Sequence, residues 1–254
     1  MKKTLRRILF LAVVGILWET VYALGIFHVL LFPSLKTIFV ALITNLQNGD
    51  LLIKTLNTLN IIFRGLFIGV LLSLVLVGIS LSHKYVREVI DNFIILFNPI
   101  PGMAVFPLFI LWFGIGQTSM IAILLHSVIW GFMINIYAGI DSIPKIYQEI
   151  SLNLELSKWR ILKDIYIPAC MSYIISGLRA AIARAWRTAI GIELIIGVMA
   201  NNAGLGWLMN HQRNTLDMPG LLSAIIVIMV VGILIEVVFK FVEKSTVEKW
   251  GMKI

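Results

Sequence analysis

Charge is scarce in this chain, and so are the residue types from which a soluble active site is assembled. Only 13% of its 254 residues are charged and 59% are hydrophobic, whereas a soluble domain averages roughly 25% charged and about 45–50% apolar. A soluble fold of this length has too little interior to hide so much apolar surface, and the mean hydropathy of +0.96 excludes water as the main solvent. The single cysteine, Cys170, excludes an internal disulfide and any Cys-x-x-Cys motif. His28, His83, His126 and His211 are scattered singly, so no metal site is expected and no catalytic constellation emerges. No Gly-Lys dipeptide occurs, which excludes a phosphate-binding Gly-x-x-x-x-Gly-Lys-Ser/Thr loop. If nucleotide energy drives this protein, another polypeptide binds the nucleotide.

What the chain has instead is apolar runs close to the ~20 residues that cross a bilayer. Six are expected: about Ile8–Val29, Leu59–Leu81, Phe93–Phe113, Met120–Ile140, a fifth from after Pro168 to about Val198, and Gly220–Phe239. The basic start Lys2, Lys3, Arg6, Arg7 followed by an apolar run also suits a signal peptide. Apolar character resumes after Glu19 and continues to Phe32, which favours an uncleaved first span. Residues 34–58 and 201–219 are polar connections on the external side, and His83–Glu88 is a charged turn. Pro99, Pro101 and Pro107 in the third run predict a broken span packed inward, because backbone groups freed by proline need partners inside the protein. Gly114-Ile115-Gly116-Gln117 then makes a tight turn into the fourth run. With six spans, fourteen Lys and Arg residues fall on the side of the termini and three on the other. The positive-inside rule places both termini in the cytoplasm, so the +8 net charge is mainly a topology signal.

Between the fourth and fifth runs lies a charged stretch, Asp141 to Asp164, in which Ile146, Ile150 and Leu154 recur at every fourth residue. That spacing predicts a short amphipathic helix. Such a helix can lie in the lipid interface, cap the bundle, or plug a groove on a soluble partner. Glu149-Ile150-Ser151, Glu155 and Ile165-Tyr166-Ile167-Pro168 fit the spacing of the "EAA" signature of bacterial ATP-binding-cassette importer permeases, which the chain resembles. Glu149, Ile165 and Pro168 keep the pattern. Ile150-Ser151 replaces Ala-Ala, and Glu155 stands where the family has a glycine that eases the turn between two short helices.

The resemblance extends over roughly residues 58–240. Asn98-Pro99-Ile100-Pro101, the stretch Pro107 to Gly116, Gly177-Leu178-Arg179, Ala185-Trp186, Glu193-Leu194-Ile195 and Asn202-Ala203-Gly204-Leu205-Gly206-Trp207 look like the nitrate/sulfonate/taurine-type branch. So does Arg64 in the second run. The resemblance implies an all-α membrane fold of six transmembrane helices with a cytoplasmic coupling-helix loop, as in type I ABC importer permeases. It divides the chain into an N-terminal span with an external segment (1–57), a permease core (58–240, coupling loop about 141–167) and a basic tail (241–254). It implies a second permease copy, a cytoplasmic ABC ATPase dimer that binds ATP and Mg2+, and an extracytoplasmic solute-binding protein. This chain itself binds no cofactor and no nucleic acid in that reading, and it is not an enzyme. Glu149, Ser151, Leu152, Leu154, Glu155, Ser157, Trp159 and Pro168 are its ATPase-coupling positions.

Charges at membrane depth cost about 2.5–3.5 kcal/mol each on insertion scales and are functional candidates by default. Arg64, Arg179, Arg184, Arg187 and Glu193 are the candidate translocation path. Glu19 and Arg64 fall at similar depths, which predicts an ion pair between them. Gly177, Ala181, Ala185 and Ala189 form a small-residue stripe that admits another helix. Arg184 flanks the stripe, with Arg187 its neighbour one turn on. The three arginines of the fifth run either pair with acids and carbonyls or line a positive path for an anion, whose oxygens match the guanidinium fork. Asn202, Gly204 and Gly206 are either a plain connector or an external gate. The function expected is passage of a small, anionic solute from a binding protein across the cytoplasmic membrane. The alternatives are a stand-alone secondary transporter or channel and, within the family, an importer of a pyrimidine-type vitamin precursor.

Overall fold

In lipid every backbone polar group must be satisfied within the chain, so the apolar runs have to become helices. The computed structural model describes residues 2–196 and 203–247, and every regular element among them is helical. In order these are α1 (Lys2–Ala23), α2 (Leu35–Gln47), α3 (Asp50–Ser80), α4 (Lys84–Phe97), α5 (Phe106–Phe113), α6 (Gln117–Asp141), α7 (Lys145–Asn153), α8 (Lys158–Ile161), α9 (Ile167–Ile196), α10 (Leu205–Asn214) and α11 (Met218–Val247). A 3-10 turn, Gly102–Val105, leads into α5, and a π-helical turn, Leu162–Tyr166, joins α8 to α9.

Four described stretches are long and apolar enough to cross a membrane: Asp50–Ser80, Gln117–Asp141, Trp159–Ile196 and Met218–Thr246. The helices on either side of residues 98–101 are bent by 88° and make a fifth span when counted together. The third run is therefore broken as its prolines require. Pro99 and Pro101 occupy the break, and Pro107 sits in the first turn of α5, where a missing N–H costs nothing. The first run differs from expectation. α1 ends at Ala23, and Arg6, Arg7 and Glu19 bracket its apolar stretch, which keeps it out of the long apolar set.

Two boundaries move outward. α3 begins at Asp50, nine residues before the expected span, so residues 50–58 of the external segment are part of the helix. α4 begins at Lys84, so the stretch read as a charged turn is helix. Lys84–Glu88 and Arg87–Asp91 are i,i+4 ion pairs at 3.8 Å each, which support a helix in polar sequence. The turn at 114–117 forms as expected, with Gly114 at φ +72°.

The chain divides into two compact units that cut across the sequential division at 57 and 240. One comprises Met1–Thr58 and Glu193–Val231. In it Trp18 stacks on Phe32 at 4.2 Å and donates from Nε1 to the Pro33 carbonyl. Glu19 accepts from the Leu35 amide at 2.6 Å and Ser34 caps α2, so the α1–α2 corner is fixed by side chains.

The other unit comprises Leu59–Ile192 and Gly232–Ile254. Its core centres on α6, where Phe132, Met133, Ile136, Tyr137 and Ile140 pack with Val77, Ile90, Ile94, Ile143 and Cys170. Gly65 and Gly69 of α3 lie so close to Leu124 and Val128 that a methyl group at either would collide. On α9, Gly177 meets Phe132 and Asn135 in the same way, and Ala181, Ala185 and Ala189 are fully buried. The small-residue stripe thus brings α9 against α6. Arg87 donates to both oxygens of Asp141, at 2.9 and 2.7 Å, and lies 4.7 Å over the Tyr137 ring. These contacts fasten the start of α4 to the end of α6.

Candidate functional site

The break in the bent span has a physical consequence one layer inward. Asn98–Met103 faces His126, Ser127 and Trp130 of α6 and Arg184, Arg187 and Thr188 of α9, and together they line an open pocket of about 260 Å³. Gly102 is held against Ser127 and Thr188 with no room for a side chain. The Arg184 guanidinium lies against Gly131, and its Nε donates to the Ser127 carbonyl at 3.1 Å. The Ser127 and Thr188 hydroxyls are hydrogen-bonded at 3.2 Å. Trp130 stacks on Phe97 at 5.2 Å, and His126 stands edge-on to both rings. Arg187 is exposed. Among the described residues neither Arg184 nor Arg187 has a carboxylate within ion-pair distance, and no acidic residue lines the pocket.

The other candidate path residues sit elsewhere. Arg179 pairs with α11: its Nε donates to Glu236 at 3.1 Å, its Nη1 to Glu243 at 3.2 Å, and its Nη2 is also bonded to Glu236. Arg64 donates to Gln117 at 3.5 Å, at the start of α6. Within its own unit Glu19 accepts from the Leu35 amide.

Glu193 is 7% exposed and acts as a helix cap. The Thr58 hydroxyl donates to its carboxylate at 2.9–3.0 Å, and the Gly206 amide donates to Oε2 at 2.9 Å. Thr58 in turn accepts from the Leu205 amide at 2.9 Å. A carboxylate is well placed at the N-terminus of α10, where amides lack intrahelical partners. Of the expected gate, Gly204 and Gly206 are buried in this knot, and a Cβ on Gly204 would strike both Glu193 and Thr58. Asn202 lies outside the described residues, as does the tail beyond residue 247.

The expected coupling helix forms as α7, and its apolar face points outward: Ile146, Tyr147, Ile150 and Leu154 are exposed, as is Glu149, while Ser151 is buried. The side chain of Leu152 lies outside the described residues. Glu155 adopts φ +48°, the left-handed conformation for which glycine is the cheap residue, so the family's turn survives without its glycine. Ser157 accepts from the Arg160 amide at 3.4 Å ahead of α8, and Trp159 is 68% exposed. Pro168 is the second residue of α9. Proline in a helix clashes with the carbonyl four residues back, and the π-helical turn just before it relieves that contact.

Sequence reasoning missed Ser127, Thr188, Trp130 and His126. The available signal was polar atoms on one face inside an apolar run: His126 and Trp130 are four residues apart on α6, with Ser127 beside them.

Long apolar helices, a broken span and a polar pocket at its break define a multi-pass membrane protein of the transport class. Residues 65–248 match the family of binding-protein-dependent transport system inner membrane components, and the chain belongs to it. It is similar to the taurine transport system permease protein TauC of Escherichia coli K12, 29% identical over 89% of this chain and 82% of that one. It is also similar to the nitrate import permease protein NrtB of Synechocystis sp., 28% identical over 67% of this chain and 62% of that one. Among solved structures, an inward-facing MetNI methionine ABC transporter shares the fold with a TM-score of 0.63 at 14% identity, over 77% of this chain and 95% of that one. The chain is thus the permease component of an ABC-type importer, a type I permease fold, and not a stand-alone secondary transporter or channel.

Proposed function

We propose that this permease passes a small anionic solute, of nitrate, sulfonate or taurine type, from an external binding protein into the cytoplasm. The observation that carries the reading is the pair Arg184 and Arg187, open to one pocket with no carboxylate beside them. Permeases named for taurine and nitrate among its relatives support it. Arg64, Arg179 and Glu193 hold helices in register, and the path narrows to the two pocket arginines. Gly204 and Gly206 form a stiff external edge rather than a mobile gate.

Energy comes from a partner. The exposed Ile146, Ile150, Leu154 and Trp159 present an apolar surface that water does not favour, and a groove on a cytoplasmic ABC ATPase covers it. ATP and Mg2+ bind in that ATPase, and two copies of this chain form the pore. Both termini are cytoplasmic. The Arg87–Asp141 pair agrees with this orientation, because it joins the ends of α4 and α6 that the charge count puts on one side.

The test is uptake of labelled taurine and nitrate by proteoliposomes holding the permease, its ATPase and its binding protein. Uptake that requires ATP and stops when Leu152–Trp159 is deleted is the expected result. Uptake without ATP, or undiminished by the deletion, overturns the reading.

A further inference from the structure

Four buried nitrogens have no hydrogen-bond partner among the described residues and gather at one place: His126 Nδ1 and Nε2, Trp130 Nε1 and Arg184 Nη2. All three residues line the pocket at the break of the bent span. A buried donor left unpaired costs about 1–3 kcal/mol. A fold does not gather several such groups around one cavity by packing alone, and the neighbouring rings show that packing here is otherwise well resolved. Trp130 and Phe97 are stacked at 18°, and the His126 edge meets both.

The chemistry of the wall selects its ligand. Indole N–H and guanidinium are donors only, neutral imidazole offers one donor, and the Ser127 and Thr188 hydroxyls orient to suit. No carboxylate lines the pocket to receive an ammonium group, so nitrate or a simple alkanesulfonate fits this wall better than taurine, whose ammonium would have to point out of it. The pocket, at about 260 Å³, lies just below the ~300–1,000 Å³ of ordinary ligand clefts, a size for a small solute rather than an oligosaccharide or a peptide. Apolar lining from Ile100, Met103 and the Trp130 ring beside the donors suits a short alkyl chain.

We infer that this pocket is a recognition site for a small oxyanion headgroup, sulfonate or nitrate in type, with Trp130 and His126 as ligands beside Arg184 and Arg187. The inference rests on the import function proposed above and adds to it a site within the permease itself. The four nitrogens are shielded from water in this conformation. The indole N–H, the guanidinium and the one N–H of His126 are satisfied when an anion fills the pocket and the side chains turn toward it, and the second imidazole nitrogen, an acceptor, is left for a hydroxyl or water. The solute is then selected a second time after the binding protein releases it.

Methanesulfonate serves as the probe, with equilibrium dialysis against the permease–ATPase complex in lipid nanodiscs and no binding protein present. Saturable binding is expected. Trp130→Phe keeps the ring and removes the N–H, and it weakens binding on the order of tenfold, the worth of one charge-assisted hydrogen bond. Trp112→Phe, at an exposed tryptophan outside the pocket, binds as the parent does. His126→Phe, which keeps its ring contacts, carries the same comparison if the Trp130 variant melts early. Equal affinity in parent and pocket variants, or no saturable binding while ATP-driven uptake of taurine or nitrate proceeds, overturns the site and leaves the import reading standing. Saturable, Trp130-dependent binding without any ATP-driven uptake sustains the site and overturns the import reading instead.

Discussion

Arg179 and Arg184 stand five residues apart on one helix and have opposite surroundings. Five residues turn an α-helix by about 140° beyond a full turn, so the two side chains leave α9 on different faces. Arg179 meets two glutamates of α11, and Glu193 further along has every neighbour it needs in Thr58 and Gly206. Arg184 has one backbone carbonyl, and Arg187 opens on the same pocket. A charge in a membrane helix that is fully partnered holds helices together. One left short of partners beside a cavity is, in the import reading proposed above, free to meet the solute. The same residue type therefore has two roles on one helix, and the difference lies in what the facing helix supplies.

Substitutions can break that contrast. The largest effect expected is from Arg184→Ala or Arg187→Ala: ATP-dependent uptake is lost while the assembly, followed by native gel electrophoresis, stays intact. Uptake at the parent rate in both would merge them with the structural charges. Next is Glu193→Ala, which strands the Thr58 hydroxyl and the Gly206 amide in a buried place and destabilises by about 2–4 kcal/mol, read as a lower melting temperature in detergent. Glu193→Gln keeps an acceptor and should lose less. Gly204→Ala forces a methyl into the same knot and costs about 1–3 kcal/mol, again read by melting. Glu155→Gly sharpens the contrast at the coupling end, since removing the left-handed strain should stabilise by about 1 kcal/mol and leave coupling ratios unchanged. Arg179→Gln is expected to do least to uptake: it leaves Glu236 and Glu243 without their cation, so it lowers the melting temperature but touches no pocket residue. Uptake near the parent rate, measured beside Arg184→Ala, would separate the two arginines most directly.

Much of this was legible from residues. Apolar runs marked the long helices, three prolines marked the break, and Gly114 to Gln117 marked the turn. The spacing of Gly177, Ala181, Ala185 and Ala189 marked the close approach of α9. Helix starts were not legible, because hydropathy registers lipid and not backbone conformation: Asp50 to Thr58 and Lys84 to Asp91 mix charged, polar and apolar residues and are helical. Partners of charged residues were not legible either. Nothing in the sequence says that Glu193 meets an amide thirteen residues later or that Glu236 meets Arg179, since both depend on which helices are neighbours. The Gly65–Gly69 spacing on α3 is a common one in membrane spans, and only the closeness of Leu124 and Val128 gives it a meaning here.

The π-helical turn before Pro168 has a mechanical side. Trp159–Ile196 is one helical run of 38 residues, with the exposed Trp159 at one end and Arg184 about 38 Å along it. An uninterrupted helix is stiff along its axis, while a π-turn next to a proline is where it yields. The run is therefore a lever with a built-in elbow. In the import reading proposed above, a push on Trp159 passes through this elbow to the pocket wall along one helical run, without a relay of side chains to carry it. The elbow decides how much of each stroke becomes tilt and how much becomes travel.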